Sequence, residues 1–231
     1  VLSLSPRRRR DFEHLDDPGI DPALRERSLR DVRRANATLG GARAVLSEVA
    51  RRLAALGPAV TLLDVGTGLG DIPARARALA ARRGVTLTAL GVDEAVSLAR
   101  VTHGMLDGSA CADARRLPFP DASVDIVTCS QVLHHFEDAD IPVVLRELQR
   151  VARRAVIVSD LRRSWIAAAG FWLVSWPLGF HPVSRHDGVV SVLRGFTPRE
   201  LSLHVQRATG RAAEVRRHLG FRVTATWTPG P

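Results

Sequence analysis

Lysine and tyrosine are absent from these 231 residues, asparagine occurs once, at Asn36, and cysteine only at Cys111 and Cys129. Two cysteines cannot build a disulfide framework or, by themselves, a zinc site, so the disulfide-stapled secreted class is excluded and a reducing, cytoplasmic setting is expected. Both cysteines fall on apolar runs, where a small core residue is the better reading than a nucleophile. With no lysine, all 33 basic residues are arginine, and the formal net charge is +9. A chain so skewed toward arginine and alanine reads as the product of a GC-rich bacterial genome. Its basicity is therefore weak grounds for a nucleic-acid partner, whose binders cluster their cations. Only Arg7 to Arg10 form a run, and it reads as a solvated tail. Long apolar runs are missing too. The most apolar segment, Trp165 to Phe180, contains Gly170, Pro177 and Gly179 and falls short of the about 20 residues a bilayer span needs. A secretory signal is not expected either, since Arg10 leads into Asp11-Phe12-Glu13-His14.

What is present is a composition that builds a core: 45% apolar and 25% charged residues, enough for one large domain. Residues 11–56 read as helical, with Asp21-Pro22 as a start signal and Gly40-Gly41 as a break. Strands are predicted at Thr61–Val65, Val85–Val92, Ser109–Ala112, Val124–Cys129 and Ala155–Ser159. Helices at Ile72–Arg83, Glu94–His103 and Ile141–Val151 alternate with them. Near-continuous apolar strands alternating with helices predict an α/β, doubly wound, mostly parallel sheet covered on both faces. A helix begun by Thr197-Pro198 follows. Ala213–His218 and Phe221–Trp227 then form a C-terminal antiparallel hairpin around Leu219-Gly220.

The most informative stretch is Asp64-Val65-Gly66-Thr67-Gly68-Leu69-Gly70-Asp71. A strand runs into a glycine turn that opens a helix, so that backbone N–H groups approach a ligand closely. The spacing is G-x-G-x-G, not the G-x-G-x-x-G of dinucleotide sites, and Asp71 at the helix start would repel a pyrophosphate. With Asp64 at the strand end, the turn suits a cation such as S-adenosylmethionine, which carries a sulfonium and an ammonium group. Asp93 ends the next strand at about the distance along the chain where a carboxylate takes ribose hydroxyls.

On these residues the chain resembles class I S-adenosylmethionine-dependent methyltransferases, in the small-molecule branch of the ubiquinone and menaquinone methyltransferase-like proteins. The resemblance covers residues 58–160. It rests on Asp64 to Gly70, on Gly91-Val92-Asp93, on Asp113-Ala114-Arg115-Arg116-Leu117-Pro118-Phe119-Pro120-Asp121, on Val124-Asp125-Ile126-Val127 and on Ser130 to Phe136. It implies a Rossmann-like methyltransferase fold with a seven-stranded sheet. Residues 57–231 would form the methyltransferase domain, residues 1–56 an N-terminal helical cap, and 161–197 a helical lid insertion. S-adenosyl-L-methionine would be the cofactor and S-adenosyl-L-homocysteine the product. Gly66, Thr67, Gly68 and Gly70 would meet the methionine part, with Asp64 nearby. Asp93 would bind the ribose, Asp113 and the Ala114 N–H the adenine, and Gln131 would lie by the methionyl end.

Methyl transfer from a sulfonium is an in-line displacement, in which the protein supplies alignment, a dry site and, for a hydroxyl or ring-carbon acceptor, a base. His134 and His135 follow the fourth strand at the ligand-binding edge, where a structural or cofactor-orienting role is as natural as catalysis. The long segment after the fifth strand carries Trp165, Phe171, Trp172, Trp176 and Phe180, then Arg185-His186-Asp187-Gly188. These aromatics predict an apolar acceptor pocket, an ordinary helix face packed on the core, or a segment that meets a membrane surface. The expected bases are His186 or His134, with His135, Trp172, Arg185 and Asp187 contacting the acceptor. That acceptor is a small aromatic, polyketide-like or quinone-like molecule of secondary metabolism, methylated at oxygen or carbon. The alternative, a nucleic-acid methyltransferase, lacks the N/D-P-P-Y/F motif after the fourth strand that would hold a flipped base. His and Asp are scattered without ligand spacing, so no metal is expected.

Overall fold

Five apolar runs fold into the parallel part of one sheet: Ala59–Val65 (β1), Thr86–Asp93 (β2), Gly108–Cys111 (β3), Val124–Ser130 (β4) and Ala152–Leu161 (β5). Glu214–His218 (β6) and Arg222–Trp227 (β7) extend it, in the order β3-β2-β1-β4-β5-β7-β6, with β7 antiparallel to both of its neighbours. The computed structural model describes residues 5–17 and 19–230. Its helices are Pro22–Thr38 (α1), Gly41–Leu53 (α2), Asp71–Ala81 (α3), Val96–Thr102 (α4), Ile141–Val151 (α5), Trp165–Ser175 (α6), Pro182–Arg194 (α7) and Pro198–Thr209 (α8).

Both faces of the central strands are apolar, and neighbouring residues serve opposite cores because side chains alternate along a strand. Leu63, Val127, Val156 and Val158 pack with Leu145 and Leu148 of α5 and Leu201 and Val205 of α8. Leu62, Ile126 and Ile157 pack with Val45, Val49 and Leu53 of α2 and with Ile72 and Ala76 of α3. The crossover order reverses between β1 and β4, where strands lead off to either side, and a crevice opens beyond their carboxyl ends.

Local chemistry sets the helix boundaries. The Asp21 carboxylate accepts from the Leu24 N–H at 2.9 Å, Pro22 occupies the first turn, and Gly40 breaks α1 from α2 at φ 85°. Thr197 and Glu200 close a reciprocal capping box on α8. The segment before α1 departs from the expected helix: among its described residues a 3₁₀ turn at His14–Asp16 forms instead, where Glu13 turns inward to Arg194 and the more exposed Asp16 reaches the same guanidinium. Cys111 also departs from expectation. It ends the edge strand β3 and is exposed, with Sγ 3.1 Å from the Glu94 carbonyl, whereas Cys129 on the central β4 is buried. No helix among the described residues is long and apolar enough to cross a membrane.

Leu145, fully buried between the sheet and α8, tests this packing. Leu145→Ala is expected to lower the unfolding free energy by about 2–5 kcal/mol in urea denaturation, the range for a buried leucine that leaves a cavity. A loss below about 1 kcal/mol would contradict a close-packed α5 layer.

Candidate active site

The site grows from the turn between β1 and α3. Gly66 adopts φ 70°, and a Cβ there would lie 2.2 Å from Val132 Cγ2, so the loop after β4 can approach only a glycine. Gly68 adopts φ 54°, and a Cβ there would meet nothing within 4 Å, so its open side faces free space. The Gly68 N–H donates to Asp93 Oδ2 at 2.9 Å and the Ala95 N–H donates to Asp93 Oδ1 at 3.0 Å. Asp93 thus ties the glycine turn to the end of β2 and keeps lone pairs for hydroxyl donors.

Asp64 lies under the turn, 2% exposed, and accepts from Thr128 Oγ1 at 2.6 Å. Burial raises its pKa to about 7, with the nearby charges of Asp71 and Asp93 acting in the same direction and the Thr128 hydrogen bond opposing. At neutral pH this carboxyl is divided between its acid and anion forms, and a cation placed beside it would favour the anion.

A cavity of about 810 Å³ opens above these groups, within the range of small-molecule sites. Its floor is the carboxyl edge of β1, β2 and β4, and its walls come from α1, α7 and the segment before α1. Gln131, at the end of β4, is held at φ 57°, a left-handed conformation uncommon for a side chain of this size. Its amide donates to Oδ1 of the buried Asn36, on α1. Such strained positions collect at functional sites because the surroundings fix them.

Beside Gln131, the chain makes a 3₁₀ turn, Leu133–His135, and buries His134 to 2% exposure. Nδ1 of His134 is 2.7 Å from Asp160 Oδ1, and its backbone N–H donates to Asp160 Oδ2 at 3.2 Å. Burial alone would raise the pKa of Asp160, but the facing His134 and its hydrogen bond hold it below the usual carboxylate value. In the neutral ring an ionised carboxylate behind Nδ1 favours the proton on that nitrogen, so Nε2 is the atom that takes a further one. Nε2 has no hydrogen-bond partner among the described residues; Glu13 Oε1 is 4.0 Å away.

Glu13 is 2% exposed and accepts from Arg194 at 3.0 Å and from Ser191 Oγ at 2.9 Å. Arg194 also donates to Asp16 at 2.7 Å, and Asp16 in turn lies 2.9 Å from His135 Nδ1. Against burial, these two partners bring the pKa of Asp16 down to about 2, and Asp16 with Glu13 raises that of His135.

The expected site residues fall into two sets. Asp64, Gly66, Thr67, Gly68, Asp93, Ala114, Gln131, His134, His135 and Asp187 line the cavity. Asp113, Gly70, Trp172, Arg185 and His186 are not among its lining residues. The Asp113 carboxylate receives Nε and Nη2 of Arg115 at 2.9 and 2.8 Å, while its neighbours Ala112 and Ala114 reach the cavity. In α6, Phe171 points inward and Trp172, one position on, rotates out and is 49% exposed. Arg185 stacks on Trp176 at 3.8 Å, and its Nε donates to the Phe180 carbonyl. His186 is exposed and shares Asp187 Oδ1 with His14, both Nδ1 atoms lying about 3 Å away.

Sequence spacing missed Asp160, Glu13, Asp16, Asn36 and Arg222. Only Asp160 carried a signal: like Asp64 and Asp93, it is an acid near the carboxyl end of an apolar strand. Folding also gathers Glu13, His134 and His135, and separately His14, His186 and Asp187, each set with ligand-type atoms within 4.8 Å of one another. Each set joins an adjacent pair to a residue from the segment before α1, more than a hundred positions away, so the scatter seen in sequence does not persist in space. Their Nδ1 atoms already face Asp16, Asp160 and Asp187.

Residues 63–158 match the sequence model of a family described as a methyltransferase domain. A demethylmenaquinone methyltransferase of Roseiflexus is 30% identical over 182 residues, which are 72% of this chain and 74% of that protein. A biotin biosynthesis bifunctional protein of Cellvibrio japonicus is 33% identical over 115 residues, 45% of this chain; the chain spans only 22% of that protein. A methyltransferase structure from Aquifex aeolicus, dependent on S-adenosylmethionine by its description, superposes with a TM-score of 0.59 at 15% identity. The match covers 87% of this chain and 98% of that one, a likeness of fold.

The buried Asp64 makes stability depend on pH. An unperturbed aspartate has a pKa of 3.8, whereas the folded chain holds this proton up to about pH 7. The contribution of this group is therefore complete below the lower value and lost as pH rises through the upper one. Asp64→Asn is expected to gain melting temperature relative to the parent protein between pH 6 and 8 in scanning calorimetry. A difference between the two proteins that does not change with pH would contradict the assignment.

Proposed function

The chain belongs to the class I S-adenosylmethionine-dependent methyltransferases, and we propose that its acceptor is a small aromatic, quinone-like or polyketide-like molecule deprotonated by His134. The first part is shown by the family: this is an enzyme, and its cofactor is S-adenosyl-L-methionine. The single observation that carries the second part is His134 in the cavity wall, with its buried Nε2 lacking a hydrogen-bond partner among the described residues and an ionised Asp160 behind the other ring nitrogen.

The residues present fit the cofactor. Gly68 leaves its side of the turn open, and Asp64, Asp71 and Asp93 flank it with the charge that a sulfonium and an ammonium need. In this reading the turn residues Gly66, Thr67 and Gly68 cradle the methionine part and Asp93 accepts from the ribose hydroxyls. Ala114 meets the adenine through its N–H; Asp113 would have to release Arg115 to join it. Gln131, pinned by Asn36, borders the methionyl end. When bound, the cofactor supplies a methyl group already activated on sulfur.

The protein's own task is then alignment and proton removal. Phe171 and Phe180 give the acceptor side of the cavity an apolar wall that excludes water. Nε2 of His134 accepts the proton of a hydroxyl, or of a ring carbon activated by one, and Asp160 stabilises the resulting imidazolium. Glu13, 4.0 Å from Nε2, lies where it can take up the charge, and Arg194 holds it in place. Three lines support this acceptor class. The cavity has the size for a small molecule, the wall is aromatic, and the two-thirds-length relative is by name a demethylmenaquinone methyltransferase.

With a screened hydroxylated aromatic as acceptor, His134→Gln is expected to lower kcat about 10²–10⁴-fold, the usual contribution of a positioned base. Affinity for S-adenosyl-L-homocysteine in calorimetry should stay within about threefold. Asp160→Asn should lower kcat as well and displace the pH profile. If His134→Gln keeps more than a tenth of the parent rate, the base assignment is wrong.

A further inference from the structure

Arg222 begins β7 and is 3% exposed, yet its side chain makes no hydrogen bond or ion pair among the described residues. Its Nε is buried without a partner, and the residue lines the same cavity as His134 and Phe171. A guanidinium carries five donors and keeps its charge at any physiological pH. Burying one with no anion beside it is costly, and native chains keep such a group where a ligand completes it. The nearest negative charge acting on it is that of Asp160, whose oxygens already accept from His134 and from the Leu161 N–H. Burial outweighs that charge and lowers the Arg222 pKa to about 10, still a cation at pH 7.

Place in the sheet says which ligand this is. Arg222 pairs across the ladder with Leu161, the last residue of β5. β7 stands three places along from β1 in the order β1-β4-β5-β7, about 14 Å away at the usual strand spacing. The glycine turn and the acids of the cofactor cradle belong to β1 and β2. Arg222 stands on the far side of His134, in the cavity that Phe171 and Phe180 also line.

We propose that Arg222 is the acceptor-binding residue that pairs with an anionic oxygen of the substrate, so that the enzyme selects acceptors carrying a carboxylate or an acidic phenolic or enolic hydroxyl. This rests on the methyltransferase reading of the cavity and narrows its substrate class. The planar fork of the guanidinium matches two oxygens at once, either both oxygens of a carboxylate or an enolate and its neighbouring carbonyl. Fixing that end of an aromatic ring aims the remaining ring positions toward Nε2 of His134.

The test uses the protein saturated with S-adenosyl-L-homocysteine and two pairs of probes in calorimetry. One pair is 2-naphthoate against 2-naphthamide, and the other is 2-hydroxy-1,4-naphthoquinone against its 2-methoxy ether. The expected result is that the acidic member of at least one pair binds tenfold or more tightly than its neutral partner. The pair showing the preference tells carboxylate from acidic hydroxyl. Arg222→Met and Arg222→Gln should abolish the preference, and Arg222→Lys should keep part of it, while homocysteine-cofactor affinity stays within twofold in all three. Equal binding of both members of each pair by the parent protein, or a preference that survives in a folded Arg222→Met or Arg222→Gln chain, would overturn the proposal. Failure of the parent protein to bind the homocysteine cofactor would instead overturn the reading on which it rests.

Discussion

The buried carboxylate of Asp160 is the interaction on which the working edge of the sheet depends. It is fully covered, and it stays ionised only because the backbone and ring of His134 and the Leu161 N–H surround it. An uncompensated charge at such a place is among the costliest defects a fold can carry. The 3₁₀ turn after β4 is therefore drawn onto the end of β5, and the imidazole can turn in only one way. Nε2 consequently faces Glu13, and the charge of Asp160 extends to Arg222 on the next strand. One carboxylate thus orients an imidazole, shapes a turn and moderates a buried cation.

The N-terminal segment is attached by different physics from the rest of the molecule. The two cores flanking the sheet are filled with leucine, isoleucine and valine. The buried residues of α1, by contrast, are Ser28, Asp31, Ala35 and Asn36. Asp31 accepts from the His181 N–H, Ser28 meets Ser184, and Asn36 accepts from Gln131. The two neutral bonds, at Ser28 and Asn36, contribute about 0.5–1.5 kcal/mol net each and the one to the Asp31 carboxylate about 1.5–3, because water competes for both partners. Separating α1 from the cavity exposes little apolar surface and lets water replace most of what is lost. This wall of the cavity is thus held by polar contacts that water can replace, which suits a cavity that must admit two ligands and release two products.

How much of this could be read from the chain depends on whether the determinant was local. The alternation of strands and helices is written in the periodicity, and the G-x-G-x-G turn with its acids announces its own geometry. The caps at Asp21 and Thr197 are equally local. Errors arose where a side chain's partner is more than a hundred residues away. Glu13 and Asp16 sit in an acidic stretch that resembles a solvated face until Arg194 and His135 meet it. Trp172 and Phe171 are equally aromatic, and only the placement of α6 decides which faces inward. Cys111 reads as core because a four-residue apolar strand does not reveal that it is an edge. The end of the cavity made by the glycine turn and its acids was thus largely legible, and the end built from four distant segments was not.

That division has an electrostatic counterpart. The order of strands across the sheet is also an order of charge. Carboxylates end β1 and β2, the His134–Asp160 pair bridges β4 and β5, and Arg222 opens β7. On the proposed reading, a cationic donor is favoured at one end and an anionic acceptor at the other, with a proton-accepting nitrogen between them. Donor and acceptor would each find repulsion in the other's place, so the cavity rejects the reversed arrangement without any steric gate. Transfer of the methyl group removes the sulfonium charge of the donor, while an anionic oxygen held at Arg222, away from the reacting position, keeps its own. The donor product then loses part of the attraction to the carboxylates that seated the reactant. The same buried charges that seat the donor give its product reason to leave.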